Sequence, residues 1–151
     1  MEERFKTFTV LTTNVCRCIH KIKTEEMAEF ELKSSHVTCL YYLYLHTSLT
    51  ARELCDISEE DKANVSRSIK YLEENGYVEC SVKHQKRYLS PFSLTEKGLD
   101  TASRIAAKID RMQALASAGL SDEQRTVFYE SLALINQNLQ KICDEYPQKS
   151  Q

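Results

Sequence analysis

At 151 residues the chain is long enough to bury a core, and it fits one domain with extensions. Hydrophobic residues make up 42% and charged residues 28% of the sequence, which is ordinary for a soluble globular protein. No apolar run approaches the roughly 20 residues that a membrane span needs, and the first residues lack the layout of a secretion signal. We therefore expect a cytoplasmic protein without membrane contact. Because the sequence has only 3 Gly and 2 Pro, it contains few helix breakers, and we expect long helices.

The net charge of −2 is unevenly distributed along the sequence. Six cations and three anions lie between Lys62 and Arg87, so this segment carries +3 and the remainder of the chain −5. A basic patch on an acidic body is expected of a protein that binds a polyanion at one place. The patch is weak support by itself, because charge runs are usually solvated surfaces.

The first segment of the chain is predicted to be an amphipathic helix with a narrow apolar seam, since its apolar residues recur every three or four positions. The residues of this seam are Phe8, Leu11, Val15, Cys18 and Ile22. A second periodic stretch runs from Val37 to Tyr44, and Ser34 and Ser35 are expected to cap its start.

The middle of the chain has the pattern of a helix-turn-helix. Thr50 to Glu53 form a capping box, which opens a short helix ending at about Asp56. Ser58 to Asp61 predict a second cap, from which a helix runs from about Glu59 to the stop signal Asn75–Gly76. Two short helices joined by a few residues, the second with a thin apolar stripe, are typical of this motif.

After Gly76 the apolar period changes to two, which predicts a β-hairpin. The segments Val78–Val82 and Tyr88–Leu94 alternate on either side of a polar turn at His84–Lys86. Pro91 is acceptable there if its strand lies at the edge of the sheet.

Two further helices complete the predicted order of elements. The first begins at Thr95–Glu96 and runs to about Ala118, where Gly119 breaks it. A capping box at Ser121–Gln124 opens the last helix. Its apolar residues form a regular seam: Phe128, Leu132, Ile135, Leu139 and Ile142.

The helix after Glu59 carries the predicted DNA-reading surface. Val65, Ile69 and Leu72 share one narrow sector, which leaves an opposite side for contact with bases in the major groove. Asn pairs with adenine and Arg with guanine, while small side chains permit close approach. The candidate DNA-binding residues are Thr50, Lys62, Ala63, Asn64, Ser66, Arg67 and Lys70, with Tyr71 on the same side, and Lys86 and Arg87 in the hairpin turn.

These motifs resemble the multiple-antibiotic-resistance regulator (MarR) family. The resemblance covers nearly the whole chain, and its most specific part lies in four segments that occur in the family's order: Leu49–Leu54, Asp61–Ile69, Leu72–Val78 and Ser93–Gly98. It implies a mainly α-helical fold with a small β-hairpin wing, that is, a winged helix-turn-helix with N- and C-terminal dimerisation helices. Residues 1–32 would form the first dimerisation helix, 33–98 the DNA-binding region and 99–151 the C-terminal dimerisation helices.

The same resemblance implies a homodimer that binds a pseudo-palindromic operator on double-stranded DNA, most simply a repressor that a signal releases. Arg87 would reach the minor groove. Lys86 stands where the family's wing commonly carries an Asp, so the acid that would orient Arg87 is missing. A winged-helix protein-interaction module that does not bind DNA is the alternative. We expect no enzyme and no cofactor, because no catalytic triad pattern or phosphate-binding loop stands out.

The sequence leaves the signal open. Cys16 lies in the first helix, as does the reactive cysteine of the family's peroxide-sensing branch, whereas reduced core thiols are the simpler expectation for six cysteines. His36 and Cys39, with His20, have a spacing that can bind metal, but the chain holds only 4 His, and no structural zinc site is expected. Tyr41, Tyr42 and Tyr44 lie near where the family binds a small-molecule effector, although aromatic stripes are usually core.

Overall fold

The computed structural model describes residues 2–58, 60–81 and 89–146. In these residues six helices and three short strands follow one another along the chain. They are α1 (Glu2–Met27, followed by a 3-10 turn at Ala28–Phe30), α2 (Ser34–His46), β1 (Ser48–Thr50), α3 (Ala51–Ser58), α4 (Lys62–Glu74), β2 (Val78–Cys80), β3 (Pro91–Leu94), α5 (Glu96–Ala116) and α6 (Asp122–Asp144). The predicted fold class, mainly helical with a small winged sheet, is confirmed.

Local signals explain where most helices begin and end. Oδ1 of Asp61 accepts from the amide of Asn64 at 2.9 Å and caps α4, so this helix begins later than predicted. Oγ of Ser121 accepts from the amide of Gln124 while the Gln124 side chain accepts from the Ser121 amide, which is the predicted capping box. Gly76 and Gly119 take positive φ angles just beyond α4 and α5, as helix-ending glycines do.

The predicted cap of α2 is wrong by one position. Ser34 is the first helical residue, and Lys33 occupies the capping position without a side-chain bond. The Lys33 amide instead donates to Nδ1 of His36 at 3.3 Å. The imidazole therefore accepts from the amide of the capping residue, as the third helical residue of a capping box does.

The strands form an antiparallel sheet in the order β1-β3-β2, with Leu49 and Cys80 both opposite Phe92. The pairing of β2 with β3 confirms the hairpin, whereas β1 was not predicted. Because β3 is central, the prediction of Pro91 on an edge strand is wrong. Pro91 is the first residue of β3, and its carbonyl accepts from the amide of Ser81 at 3.0 Å, so its missing N–H lies at the margin of the ladder.

The core lies where α2, α3 and α4 meet the sheet and the first part of α5. Its largest side chains are almost fully buried: Phe92, Leu40, Leu43, Leu54, Ile69, Leu72 and Ile105. Gly98 belongs to this packing, since a Cβ there would overlap the carbonyl oxygen of Tyr77. A glycine at this position lets α5 begin directly against the segment that follows α4.

The chain divides into two compact units, residues 1–110 and 111–151. The first contains the sheet and the core. The second contains α6, none of whose described residues is buried. None of the helices in the described part of the chain is long and apolar enough to cross a membrane.

Candidate nucleic-acid interface

The inward side of α4 fixes the orientation of the predicted DNA-reading surface. Val65, Ile69 and Leu72 are buried, as their spacing predicted. Ser68 is buried on the same side, and its hydroxyl donates to Oγ of Ser35 on α2 at 2.9 Å. Apolar packing and this hydrogen bond together leave α4 one face for solvent.

The outward side of α4 holds the predicted DNA-binding side chains of this helix. The exposed ones are Lys62, Ala63, Ser66, Arg67 and Lys70. Asn64 is half-buried. Three of the exposed side chains are cationic and two are small, so this face attracts a polyanion and also permits it to approach the helix backbone closely.

An ion pair bears on the positive face near the end of α4. Nζ of Lys70 lies 3.8 Å from Oε1 of Glu74, and the two side chains are 68% and 62% exposed. An exposed pair of this kind contributes little free energy, because water screens it. Lys70 can therefore exchange Glu74 for a phosphate at small cost.

Two acidic residues before α4 hold Asn64 in place. Asp61 accepts from its backbone amide, and Oε2 of Glu60 accepts from its side-chain nitrogen at 2.5 Å. The second contact was missed from the sequence. Glu60 and Asn64 are four positions apart, the spacing of a helical side-chain pair, and the predicted helix start at about Glu59 places both residues on one helix.

The predicted capping box at the start of α3 is confirmed. Oγ1 of Thr50 accepts from the Glu53 amide at 3.2 Å, and the Glu53 carboxylate accepts from both the amide and the hydroxyl of Thr50. These bonds from Thr50 lower the pKa of Glu53. The hydroxyl of Thr50, a candidate DNA contact, is thus already used as a cap.

Tyr71 is exposed, as its predicted place among the outward side chains requires, but its ring also packs against α2. Its ring stacks on that of His36 with centroids 4.2 Å apart and an angle of 8° between the planes. Only about two fifths of Tyr71 is exposed, at 38%. Burial, and then the charge of Lys33, lower the pKa of His36, so the stack holds a neutral imidazole between α2 and α4.

The two wing candidates, Lys86 and Arg87, lie outside the described residues. What the structure gives of the wing is its base, where β2 and β3 pair and Phe92 is buried. The hydroxyl of Thr95 donates to the carbonyl of Gly76 at 2.7 Å and accepts from the Gly98 amide at 3.0 Å. The end of α4 and the start of α5 are thereby joined beneath the wing.

A cavity of about 280 Å³ lies between the end of α1 and the start of α2. It is lined by His20, Lys23, Thr24, Met27, Ala28, Leu32 and Ser34. The tyrosines that were predicted near an effector do not line it. Tyr41 and Tyr42 instead contact each other edge to face, with their ring centroids 5.7 Å apart. Burial, and then the negative charge of Asp110, raise the pKa of Tyr41.

The cysteines divide into exposed and buried thiols. Cys16, Cys18 and Cys143 are exposed, so the expectation that the cysteines are core residues is wrong for these three. Cys39 is buried, and burial, Glu60 and Cys55 raise its pKa to about 12. A thiol with this pKa stays protonated near neutral pH, which makes Cys39 a poor metal ligand or nucleophile.

The residues considered for metal sensing are used in other ways. Nδ1 of His36 accepts from the Lys33 amide, Cys39 is a protonated core thiol, and His20 lies on α1 beside the cavity. Among the described residues, no group of three or more His, Cys, Asp or Glu side chains is placed to hold a metal ion.

Comparison with known proteins places the chain among regulators of transcription. A sequence profile described as the MarR family matches residues 30–87, a range that includes α2, β1, α3, α4 and β2. The HTH-type transcriptional regulator YwoH of Bacillus subtilis is 30% identical over 112 residues, which are 74% of this chain and 81% of that protein.

Solved structures show the same fold at lower sequence identity. A MarR family regulator from Neisseria meningitidis superimposes with a TM-score of 0.79 at 20% identity, over 94% of this chain and 97% of that one. A MarR family regulator from Listeria monocytogenes, solved in complex with a 26mer DNA, gives a TM-score of 0.76 at 20% identity, over 92% and 95% of the two chains.

Proposed function

This chain belongs to the MarR family of transcriptional regulators, and from that premise we propose that it recognises a specific duplex DNA sequence through the outward face of α4. The observation that carries the proposal is the division of this helix. Its inner stripe is buried in the core, while Lys62, Arg67 and Lys70 stand exposed on the other side. A helix that packs against the core along one side and is basic and exposed along the other has the form of a recognition helix.

Each side chain of this face has a role that its chemistry suits. Arg67 reads guanine through its two-pronged guanidinium, and Asn64 reads adenine. Ala63 and Ser66 let the backbone approach the groove. The remaining candidates hold the phosphates, which fixes register and supplies affinity without sequence information: Lys62 and Lys70, with Lys86 and Arg87 of the wing. Thr50 supports the motif by capping α3 instead.

We further propose that the protein acts as a homodimer on a pseudo-palindromic operator. On α6 the predicted apolar seam is exposed along its whole length, from Phe128 at 52% to Ile142 at 49%. On α1 the predicted seam is exposed as well, including Leu11 and Val15. Apolar stripes of this length are normally covered, and a second copy of the chain supplies identical stripes and the two-fold symmetry of the operator.

Repression that ends when a signal arrives is the regulatory mode we favour. The cavity beside His20 and Lys23 offers cationic and apolar lining to a small effector, and the exposed thiol of Cys16 offers an alternative route through oxidation. Because its proposed partner is DNA, we place the protein in the cytoplasm, acting by binding rather than by catalysis.

The proposal is tested by fluorescence anisotropy with the duplex upstream of the protein's own gene and a scrambled duplex, at several salt concentrations. Specific binding predicts a higher affinity for the first duplex at every salt concentration. Equal affinities throughout would reject specific recognition and favour the protein-interaction module.

Substitution of Arg67 sharpens this test. Arg67→Ala should weaken specific binding by about 1–3 kcal/mol and relax the base preference, because a direct contact with a base is lost. Arg111→Ala, which removes an exposed arginine from α5, is the matched control and should bind as the wild type does. Equal losses in the two variants would indicate that charge alone governs binding.

A further inference from the structure

Asn64 is held by an acid that a DNA-binding surface would be expected to avoid. We propose that Glu60 is a specificity-determining positioning residue, whose carboxylate fixes the side-chain amide of Asn64 so that α4 selects adenine at one position of each operator half-site. The inference rests on the proposed function, since it concerns how the same helix reads DNA.

The geometry gives Asn64 little freedom. Oε2 of Glu60 lies 2.5 Å from Nδ2 of Asn64, and the amide of Asn64 donates to Oδ1 of Asp61 at 2.9 Å. An ionised carboxylate only accepts hydrogen bonds, so the nitrogen of the amide group, and not its oxygen, must face Glu60. The bond therefore sets the direction of the Asn64 amide as well as its place.

The direction of the amide decides what Asn64 can read. The terminal torsion of an unrestrained asparagine is broad and roughly two-fold, so its oxygen and nitrogen exchange places readily. With one N–H bound to Glu60, the amide retains one donor and one acceptor. Adenine presents the complementary acceptor N7 and donor N6 in the major groove.

Glu60 itself faces the protein. Its backbone amide donates to Oγ of Ser58 at 3.4 Å, and its side chain is near enough to the buried Cys39 of α2 to raise the pKa of that thiol. Glu60 is also half-buried. A carboxylate at this place repels phosphates, so it weakens binding to DNA of every sequence. We attribute its presence to selectivity, because its bond to Asn64 orders that side chain before DNA binds.

The test selects duplexes from a randomised library with the full-length protein and compares base preferences. Wild-type protein should enrich adenine at the position where Asn64→Ala loses its preference. Glu60→Ala should lower that enrichment by about three- to tenfold and by less than Asn64→Ala does, because the contact with the base remains possible but Asn64 is no longer ordered beforehand. Glu60→Met, which keeps the length of the side chain without a strong acceptor, serves if Glu60→Ala melts early.

Glu60→Gln is the matched control for charge. It removes the same negative charge as Glu60→Ala, and its Oε1 can still accept from Asn64. Because its Nε2 can also donate to the Asn64 oxygen, the adenine preference should lie between those of the wild type and Glu60→Ala. Asp56→Asn removes an exposed carboxylate from α3 and should change affinity and salt dependence without changing the preferred base. In the Asn64→Ala background, Glu60→Ala should have no further effect on base preference.

Three results would overturn the role of Glu60 and leave the proposed function intact. The first is an unchanged adenine preference in Glu60→Ala and Glu60→Met. The second is a loss of adenine preference in Glu60→Gln as large as that in Glu60→Ala. The third is a further change of base preference when Glu60→Ala is added to Asn64→Ala. A wild-type protein that enriches no sequence would instead reject the proposed function, and with it the role of Glu60.

Discussion

Two helices with similar sequence patterns, α4 and α6, differ in whether the folded chain buries their apolar side. Of the 13 residues of α4, Val65, Ser68, Ile69 and Leu72 are buried. None of the 23 residues of α6 is buried, although its apolar seam is longer. An amphipathic pattern thus indicates that one face of a helix is to be covered, but it does not indicate whether residues of the same chain cover that face.

The difference has an energetic consequence. The inner face of α4 is covered by residues of its own chain, so its contribution to folding does not depend on protein concentration. An isolated helix of the length of α6 is marginal in water. If a second copy covers its seam, as we propose, its stability rises with protein concentration. The following predictions are arranged from the largest expected effect to the smallest.

Truncating the inner face of α4 should have the largest effect. Leu72→Ala should lower the free energy of unfolding by about 2–5 kcal/mol, because it removes a fully buried side chain and leaves a cavity. Urea denaturation measures the loss, which should be the same at low and high protein concentration. A loss that disappears at high concentration would place Leu72 in an interface between chains.

Placing a charge on the α6 seam should act on assembly instead. Leu139→Asp removes about 2 kcal/mol of apolar transfer free energy from each copy if the seam is buried in a dimer, and sedimentation velocity should then show monomers. Gln137→Asp adds the same charge on the opposite side of α6 and should leave the dimer intact. A wild-type protein that sediments as a monomer at micromolar concentration would contradict the dimer.

Removing the cap of α6 should have a smaller effect. Ser121→Ala deletes the hydroxyl that accepts from the Gln124 amide and should cost about 1 kcal/mol. Thermal melts should show this as a reduced melting temperature. If α6 contributes to folding only through dimers, the lower melting temperature should be accompanied by weaker self-association. An unchanged melting temperature would show that α6 does not unfold together with the rest of the protein.

The stack of His36 on Tyr71 predicts a pH dependence within the first unit. Burial lowers the pKa of His36 below its ordinary value of 6.5, so folding favours the neutral imidazole. Its contribution to stability is present above about pH 6.5 and is lost as the pH falls towards the lower pKa of the folded state. His36→Gln should therefore be less sensitive to acid between pH 7 and 5. Equal slopes for variant and wild type would contradict this.

The sequence predicted well those features that depend on near neighbours. The apolar stripe of α4, the capping boxes at Thr50 and Ser121, and the helix ends at Gly76 and Gly119 all occur where they were expected. Each is decided by residues within about one helical turn of one another, so the chemistry is legible in a short window of sequence.

Features that join distant parts of the chain could not be predicted from such short windows. The strand Ser48–Thr50 is too short to show a pattern, and it forms because β3 offers it an edge. Pro91 was expected at an edge and lies at the start of the central strand. Tyr71 is exposed as expected, but its stacking on the ring of His36, which lies on another helix, was not predicted.

The sequence by itself therefore determined the order of the helices, the likeness to MarR regulators and the set of side chains on the outward face of α4. Tertiary structure alone decided how that face is held. The hydroxyls of Ser35 and Ser68 meet although they lie 33 residues apart, and the ring of His36 on α2 stacks on that of Tyr71 on α4. Periodicity records which side of a helix is apolar, whereas the partner of each polar group depends on which elements pack together.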